Sequence, residues 1–436
     1  MVQSGTTCLR RLAQGEEGTE IRFGRLLRNE HVTVERIIAG WGEPTVRAVA
    51  GRHVLAIQDT SEFNFRTREG RRRGLGAIGK GVGRGILLHP MLAVDAAAGD
   101  MLGLVCGSVW TRAEPVAGKP CKPRKKRRRA AAERESRHWV ETPAAAKPVL
   151  ATARMVTVIS DREADSYRFW AQVPDARTHV LGRLYHDRKL AGGGRLTKAA
   201  AQWPVVGTRR LIIREREGRP ERPAELALRV GTVTILRPSE PGADALPERV
   251  TLTLIELSEP APPADAEPVS WRLLTSHAVA DAAAAWQIVD WYRMRWTIEQ
   301  FFRLLKKQGL QVEDSQLETA DRLLKLLAIA ARAAAIILQL TQARDGNSTL
   351  AAALVFSPEE IATLQAVNLR YSRPRRPRPN PHPPLSLPWA AWIIARLGGW
   401  NGRPTARPPG PITFKHGLDT LQTMAAGWAL RDLFTP

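Results

Sequence analysis

Val54-Leu55-Ala56-Ile57-Gln58-Asp59-Thr60-Ser61 is a short, uninterrupted apolar run that ends in an acid. A strand with one wet face would alternate apolar and polar residues, so this run reads as a central strand buried on both faces. A second such run, Met155 to Ile159, ends in Ser160-Asp161-Arg162-Glu163-Ala164-Asp165, where a helix is expected to begin. Thr178 to Leu184 is expected to join the same sheet. Between the first two runs lie a glycine- and arginine-rich connection from Arg66 to Gly85, then Ile86 to Val94 and Met101 to Trp110. Asp95-Ala-Ala-Ala-Gly-Asp100 joins the last two as a hairpin. The expected fold class is α/β, with a mixed sheet at its centre.

Working outward, residues 1–50 read as short amphipathic helices, and the core occupies 51–189 and 269–315. Strand-like segments near Arg210 to Arg214, Leu226 to Leu236 and Val250 to Leu257 alternate with Pro/Gly/Glu loops, so 190–268 reads as a β insertion. Ser270-Trp-Arg-Leu-Leu-Thr-Ser276 returns the chain to the core. Residues 316–372 are expected to be helical, with the longest helix at about Leu317 to Gln342. The Pro/Arg stretch in 373–388 cannot hold a helix and reads as a semi-rigid linker. Residues 389–436 carry two further helical patterns, Trp389 to Leu397 and Leu418 to Leu433.

The 436 residues are 44% hydrophobic, enough to build large cores. Lysine and arginine number 65 against 43 acids, a net charge of +22 that most simply means a polyanionic partner, nucleic acid ahead of a membrane surface. Lys119 to Arg129 alone holds eight basic residues in eleven positions, a pattern suited to nonspecific polyanion contact and equally found in solvated loops. The most apolar stretch, around Leu326 to Leu340, is interrupted by Arg332 and reads as a buried helix, so no membrane role is expected. The N-terminus has no basic region followed by an apolar stretch, which places the protein in the cytoplasm. Cys8, Cys106 and Cys121 and the nine histidines show no zinc-ligand spacing. A catalytic metal would therefore be a hard cation on carboxylates, magnesium or manganese.

Trp291-Tyr-Arg-Met-Arg-Trp-Thr-Ile-Glu-Gln-Phe-Phe-Arg-Leu-Leu-Lys-Lys307 supplies a third acid. On one α-helix at about 100° per residue, Tyr292, Arg295, Glu299 and Lys306 fall at roughly 0°, −60°, −20° and −40°, a single narrow stripe. Trp291, Met294, Ile298, Phe301, Phe302 and Leu305 fill the neighbouring arc and would seat the helix on a core. Three carboxylates, Asp59 and Asp161 closing strands and Glu299 on a later helix, suffice to hold two divalent ions for phosphodiester chemistry. Asp59 would bridge both ions, with Asp161 and Glu299 holding one each. Taken singly, such residues are as often turn acids, helix caps or a solvated helix face. Asp165 is the second choice as a ligand and is otherwise expected to face solvent or a local arginine.

With these motifs the chain resembles DDE transposases of the insertion-sequence-four family, which includes the transposon-five transposase. The family signature, Tyr-x2-Arg-x3-Glu-x6-Lys, is met by Tyr292, Arg295, Glu299 and Lys306; Gln58-Asp59-Thr60-Ser61 and Ser160 to Asp165 resemble its two aspartate motifs. The resemblance runs from about Val54 to the tail, including Ile394-Ala-Arg-Leu-Gly-Gly399. It implies a ribonuclease-H-like mixed-sheet core with a β-strand insertion, helical N- and C-terminal regions, and a homodimer through the C-terminal region. It also implies Mg2+ or Mn2+, two ions, on Asp59, Asp161 and Glu299. Double-stranded DNA, both transposon ends and target, would be the partner, and a bacterial, nucleoid-associated protein the expectation. The implied route is a nick by water, hairpin formation by the freed 3′ hydroxyl, hairpin opening, and strand transfer. By the same resemblance Trp271 stacks a flipped base, Tyr292, Arg295 and Lys306 grip phosphates, and Arg183 contacts DNA. Only 58 residues precede Asp59, fewer than the helical end-reading domain of such relatives usually needs. The alternative expectation is accordingly a truncated or decayed copy that binds DNA and inhibits transposition without catalysis.

Overall fold

The computed structural model describes residues 8–433, apart from 14, 66–71, 80–82, 113–134, 214–219, 240–242, 265, 308, 372–378 and 404. The basic run Lys119 to Arg129, Cys121 and the first part of the Pro/Arg stretch lie outside the described residues. The described residues form eleven strands, β1 (His53–Gln58), β2 (Ser61–Asn64), β3 (Gly76–Ile78), β4 (Gly83–Asp95), β5 (Met101–Trp110), β6 (Met155–Ser160), β7 (Thr178–Arg183), β8 (Gly207–Ile213), β9 (Arg222–Leu236), β10 (Arg249–Ser258) and β11 (Ser270–Thr275).

They form one sheet, ordered β2-β4-β1-β6-β7-β11-β10-β9-β8, with β3 and β5 also paired to β4. β4 runs antiparallel to β1 and to β5, whereas β6 is parallel to β1 and β7 parallel to β6. The order β5-β4-β1-β6-β7, three antiparallel neighbours followed by two parallel additions, is the ribonuclease-H-like arrangement. β1 is buried from Val54 to Gln58 and β6 from Val156 to Ser160, as strands covered on both faces require. β8 to β11 continue the same sheet by antiparallel pairing from the edge of β7, so the insertion extends the sheet and makes no separate layer. β2 and β3 fall in or beside a stretch whose sequence reads only as a connection; both are short strands laid along the long β4.

The helix Ala320–Ala343 is long and apolar enough to cross a membrane by composition, yet most of it is buried in the protein, where it packs near β5 and the helix Trp296–Lys306. The N-terminal helices are bonded to it: the Trp41 indole donates to the Ala328 carbonyl at 3.0 Å, and Lys325 Nζ donates to the carbonyls of Leu27 and Asn29, each at 3.2 Å. Gly107 of β5 has no Cβ where one would come 2.9 Å from the Trp41 ring, which lets that ring lie against the strand. The segment Tyr292 to Lys306 departs from the single helix expected. It is two helices, Ala282–Met294 and Trp296–Lys306, meeting at Arg295. There the hydrogen bonds tighten to three-residue spacing, Arg295 N–H to Tyr292 and Ile298 N–H to Arg295, both 3.1 Å.

Candidate active site

The register of the parallel strands sets the site. Ile57 faces Ile159, so carrying the pairing on two residues puts Asp59 opposite Asp161; Ser160 faces Gly182, so one residue further puts Asp161 opposite Arg183. Parallel neighbours stand about 4.8 Å apart, so two carboxylates and a guanidinium emerge side by side at the carboxyl ends of β1, β6 and β7. Trp271 enters from the first turn of β11, whose Leu273 pairs with Arg183.

Hydrogen bonds join this row to the two helices. Arg295 donates from one nitrogen to Asp59 Oδ2 at 3.0 Å and from another to Glu299 Oε1 at 2.6 Å. Tyr292, 7% exposed, lies beneath and bonds Arg295, and the Trp271 ring meets Tyr292 edge-on at 5.9 Å. Arg183 donates to the Ser270 carbonyl at 3.2 Å. Lys306 donates to Ser61 Oγ at 2.8 Å and sits 5.0 Å over the Phe63 ring. All eight residues singled out from the sequence thus lie at one end of the sheet. Their exposure differs: Tyr292 is buried, whereas the other seven are partly open.

Burial, then the negative charge of Asp161, pushes the Asp59 carboxyl up to about 7, with Arg295 and the Thr60 N–H pulling the other way. Burial would lower the Arg295 pKa, but Tyr292, Asp59 and Glu299 outweigh it and raise it. Burial lowers that of Lys306, opposed by Glu313 and Glu62, and burial with the Asp161 charge raises that of Glu163. Asp161 itself accepts the Glu163 N–H at 2.7 Å and caps the short turn Arg162–Ala164, where a helix is expected to begin; the α-helix starts at Tyr167.

The donor set suits a hard divalent cation, since Asp59, Asp161 and Glu299 offer only carboxylate oxygens. The raised pKa of Asp59 marks two like charges in one partly dry place, which such a cation would satisfy. Glu299 stands off from this pair because Arg295 lies between it and Asp59, and among the described residues no three His, Cys, Asp or Glu side chains are grouped closely enough to hold an ion. The residues fit a cation at Asp59 and Asp161, with Glu299 tethered one guanidinium away.

Asp165 takes a different part. Its side chain is fully buried; Oδ2 accepts the Tyr185 and His186 N–H groups, each at 2.7 Å, and Oδ1 accepts Arg188 at 2.6 Å and the Trp170 indole at 2.9 Å. It anchors the loop after β7 and is closed to solvent. Gly182 leaves the space for that indole, as a Cβ there would meet Trp170 at 2.9 Å.

Residues 135–336 match the family described as Transposase DDE domain. The matched stretch contains Asp161, Arg183, Trp271, Tyr292, Arg295, Glu299 and Lys306, while Asp59 lies upstream of it. Among solved structures, the chain is similar to the piggyBac transposase in a cryo-EM synaptic complex with hairpin DNA, at 9% identity and a TM-score of 0.36. That similarity covers 90% of this chain and 57% of the transposase chain. The local arginine expected for Asp165 is Arg188, but its full burial was not read from the sequence, nor was His89 beneath Asp59. His89 is the one polar side chain within the apolar run Ile86 to Val94, and that singularity was the available signal.

Proposed function

We propose that the chain is a metal-dependent DNA transposase of the insertion-sequence-four type, with Asp59, Asp161 and Glu299 as its cleavage carboxylates. The observation that carries the reading is the placement of Asp59 and Asp161 just past the ends of two paired parallel strands, near enough for Asp161 to raise the Asp59 pKa, with Arg295 linking Asp59 to Glu299. The transposase DDE domain match over 135–336 and the net charge of +22 support it.

Divalent ions on these carboxylates would align the attacking and leaving oxygens of a phosphodiester. The chain's own side chains do the rest. Arg295, set between Asp59 and Glu299, bonds both and would present its remaining edge to a phosphate oxygen. Lys306, held by Ser61 and Phe63, and Arg183, held by Ser270, offer two more phosphate contacts. Trp271, backed by Tyr292, offers an aromatic face to an unstacked base, a contact worth about 1–3 kcal/mol in other single-strand binders. The reactions proposed are the nick, the hairpin, its opening and strand transfer on paired ends, by a dimer formed through 389–436.

The test is incubation of the full chain with labelled duplex bearing the terminal repeat of its element, in Mg2+ or Mn2+, resolved on a denaturing gel. A nick followed by a hairpin, both lost in Asp59→Ala and Glu299→Ala with DNA affinity kept, is the expected result. Binding without cleavage would replace this reading with a noncatalytic DNA-binding protein.

A further inference from the structure

Beneath the aspartate loops runs a line of buried side-chain hydrogen bonds with a single permitted direction. Gln58 closes β1, Ser160 closes β6 and His89 lies midway along β4; all three are fully buried. Gln58 Nε2 lies 3.1 Å from the Trp139 carbonyl and 3.1 Å from Ser160 Oγ. The carbonyl can only accept, so the amide nitrogen of Gln58 must face it, and Gln58 Oε1 must face His89 Nε2 at 3.2 Å. His89 Nε2 therefore carries the hydrogen, and Nδ1 is a bare acceptor. The remaining contact, 2.7 Å from His89 Nδ1 to Thr60 Oγ1, then has the Thr60 hydroxyl donating. Gln58 and both ring nitrogens of His89 thus have partners, with the imidazole neutral. Burial, with a smaller contribution from His138, pushes its pKa down to about 3, in keeping with that neutral tautomer. The Trp139 ring closes the pocket edge-on at 4.8 Å.

Gln58 and Thr60 flank Asp59, Ser160 precedes Asp161, and the Thr60 N–H is bonded to Asp59 Oδ1 at 2.7 Å. We propose that His89 is a positioning residue: by holding Gln58 and Thr60 from one imidazole, and through Gln58 the Ser160 side chain, it sets the spacing of Asp59 and Asp161 as a preformed seat for a divalent cation. The inference rests on the assignment of those two aspartates as cleavage carboxylates. Partners that orient ligands in this way are commonly worth 10–100-fold in metal affinity or activity.

Thr60→Val removes the donor to His89 in nearly the same volume, Thr60→Ser restores it, and His89→Leu removes the imidazole. Binding of Mn2+ alone to the full chain is measured by titration calorimetry without DNA, alongside thermal melting, DNA affinity, and kcat against KM for cleavage. Thr60→Val and His89→Leu are expected to weaken Mn2+ binding by about tenfold and to lower kcat with KM and DNA affinity unmoved; Thr60→Ser should retain the parental Mn2+ affinity. Folded Thr60→Val protein with unchanged Mn2+ affinity and kcat would make His89 an ordinary core histidine and overturn the proposal. So would a parent chain that takes up no Mn2+. A parent that binds Mn2+ but never cleaves DNA overturns the transposase reading alone, and the loss or retention of Mn2+ binding in Thr60→Val still decides the role of His89.

Discussion

Burial and the charge of Asp161 favour the protonated form of Asp59, whereas the proposed cation binding needs it ionised. Its carboxyl is raised to about 7 by burial and by Asp161, whereas an unfolded aspartate titrates near 4. The folded state therefore keeps a proton that the unfolded chain gives up, so the stability linked to this group is full below about pH 4 and is lost as the pH rises through 7. Asp59→Asn, which removes the buried charge, is expected to stabilise the chain by about 1–2 kcal/mol at pH 8 and by far less at pH 5.5. Urea unfolding at the two pH values measures it, and equal gains at both would refute the assignment. On the proposed role the same carboxyl must lose its proton to take a cation, so Mn2+ affinity should climb about tenfold from pH 6 to 8 and level off above. The positions of Asp59 and Asp161 at strand ends were legible in the sequence because each closes an apolar run. Arg295 as the link between Asp59 and Glu299 was not, since it depends on a strand end 236 residues away in the chain.

At the scale of elements, the buried strands were readable because β1 and β6 are continuous apolar runs of strand length. β2 and β3 were not, because their sequences carry no apolar run and they owe their strand form to pairing with β4. The helix break at Arg295 was equally hidden: its backbone angles, φ −51° and ψ −29°, remain helical, and only the hydrogen-bond spacing changes. The stripe nonetheless keeps its members together, since Tyr292 to Arg295 and Arg295 to Glu299 are each about one turn. The long helix Ala320–Ala343 holds a second feature that propensity alone would not suggest, the buried Lys325. Its ammonium is shared among Asp321 at 2.8 Å and the carbonyls of Leu27 and Asn29, the last acceptors of the helix Glu17–Arg28. Cations suit helix carboxyl ends, and a buried carbonyl left without a donor costs about 1–3 kcal/mol. Lys325→Met, similar in length and uncharged, should therefore lower stability by about 2–3 kcal/mol. Melting followed by circular dichroism reads this, and a loss below 0.5 kcal/mol would show that water replaces the ammonium.

Over the whole molecule, one buried cluster runs from Leu27 to Leu421 and takes in Leu226 and Leu252 of the β segment along with Leu326 and Trp389 of the helices. The site thus stands on a common core. Charge, in contrast, is a property of the whole surface and of the sequence, +22 over 436 residues. A single duplex strand pair displays one phosphate charge per about 1.7 Å, and each cation that neutralises one releases a counterion, giving a salt slope of about −0.9 per contact. The eight basic residues between Lys119 and Arg129 sit in the connection between β5 and β6, the strand that ends at Asp161. If they bind backbone phosphates beside the site, deleting them should flatten the slope of log affinity against log salt by several units and weaken binding equally for all sequences. Fluorescence anisotropy from 50 to 200 mM salt, on a terminal-repeat duplex and a scrambled one, makes the measurement. An unchanged slope would place the DNA contacts on the cations of the site and the helices. A loss confined to the terminal repeat would instead make the segment a reader of sequence, which a run of lysine and arginine on phosphate does not explain.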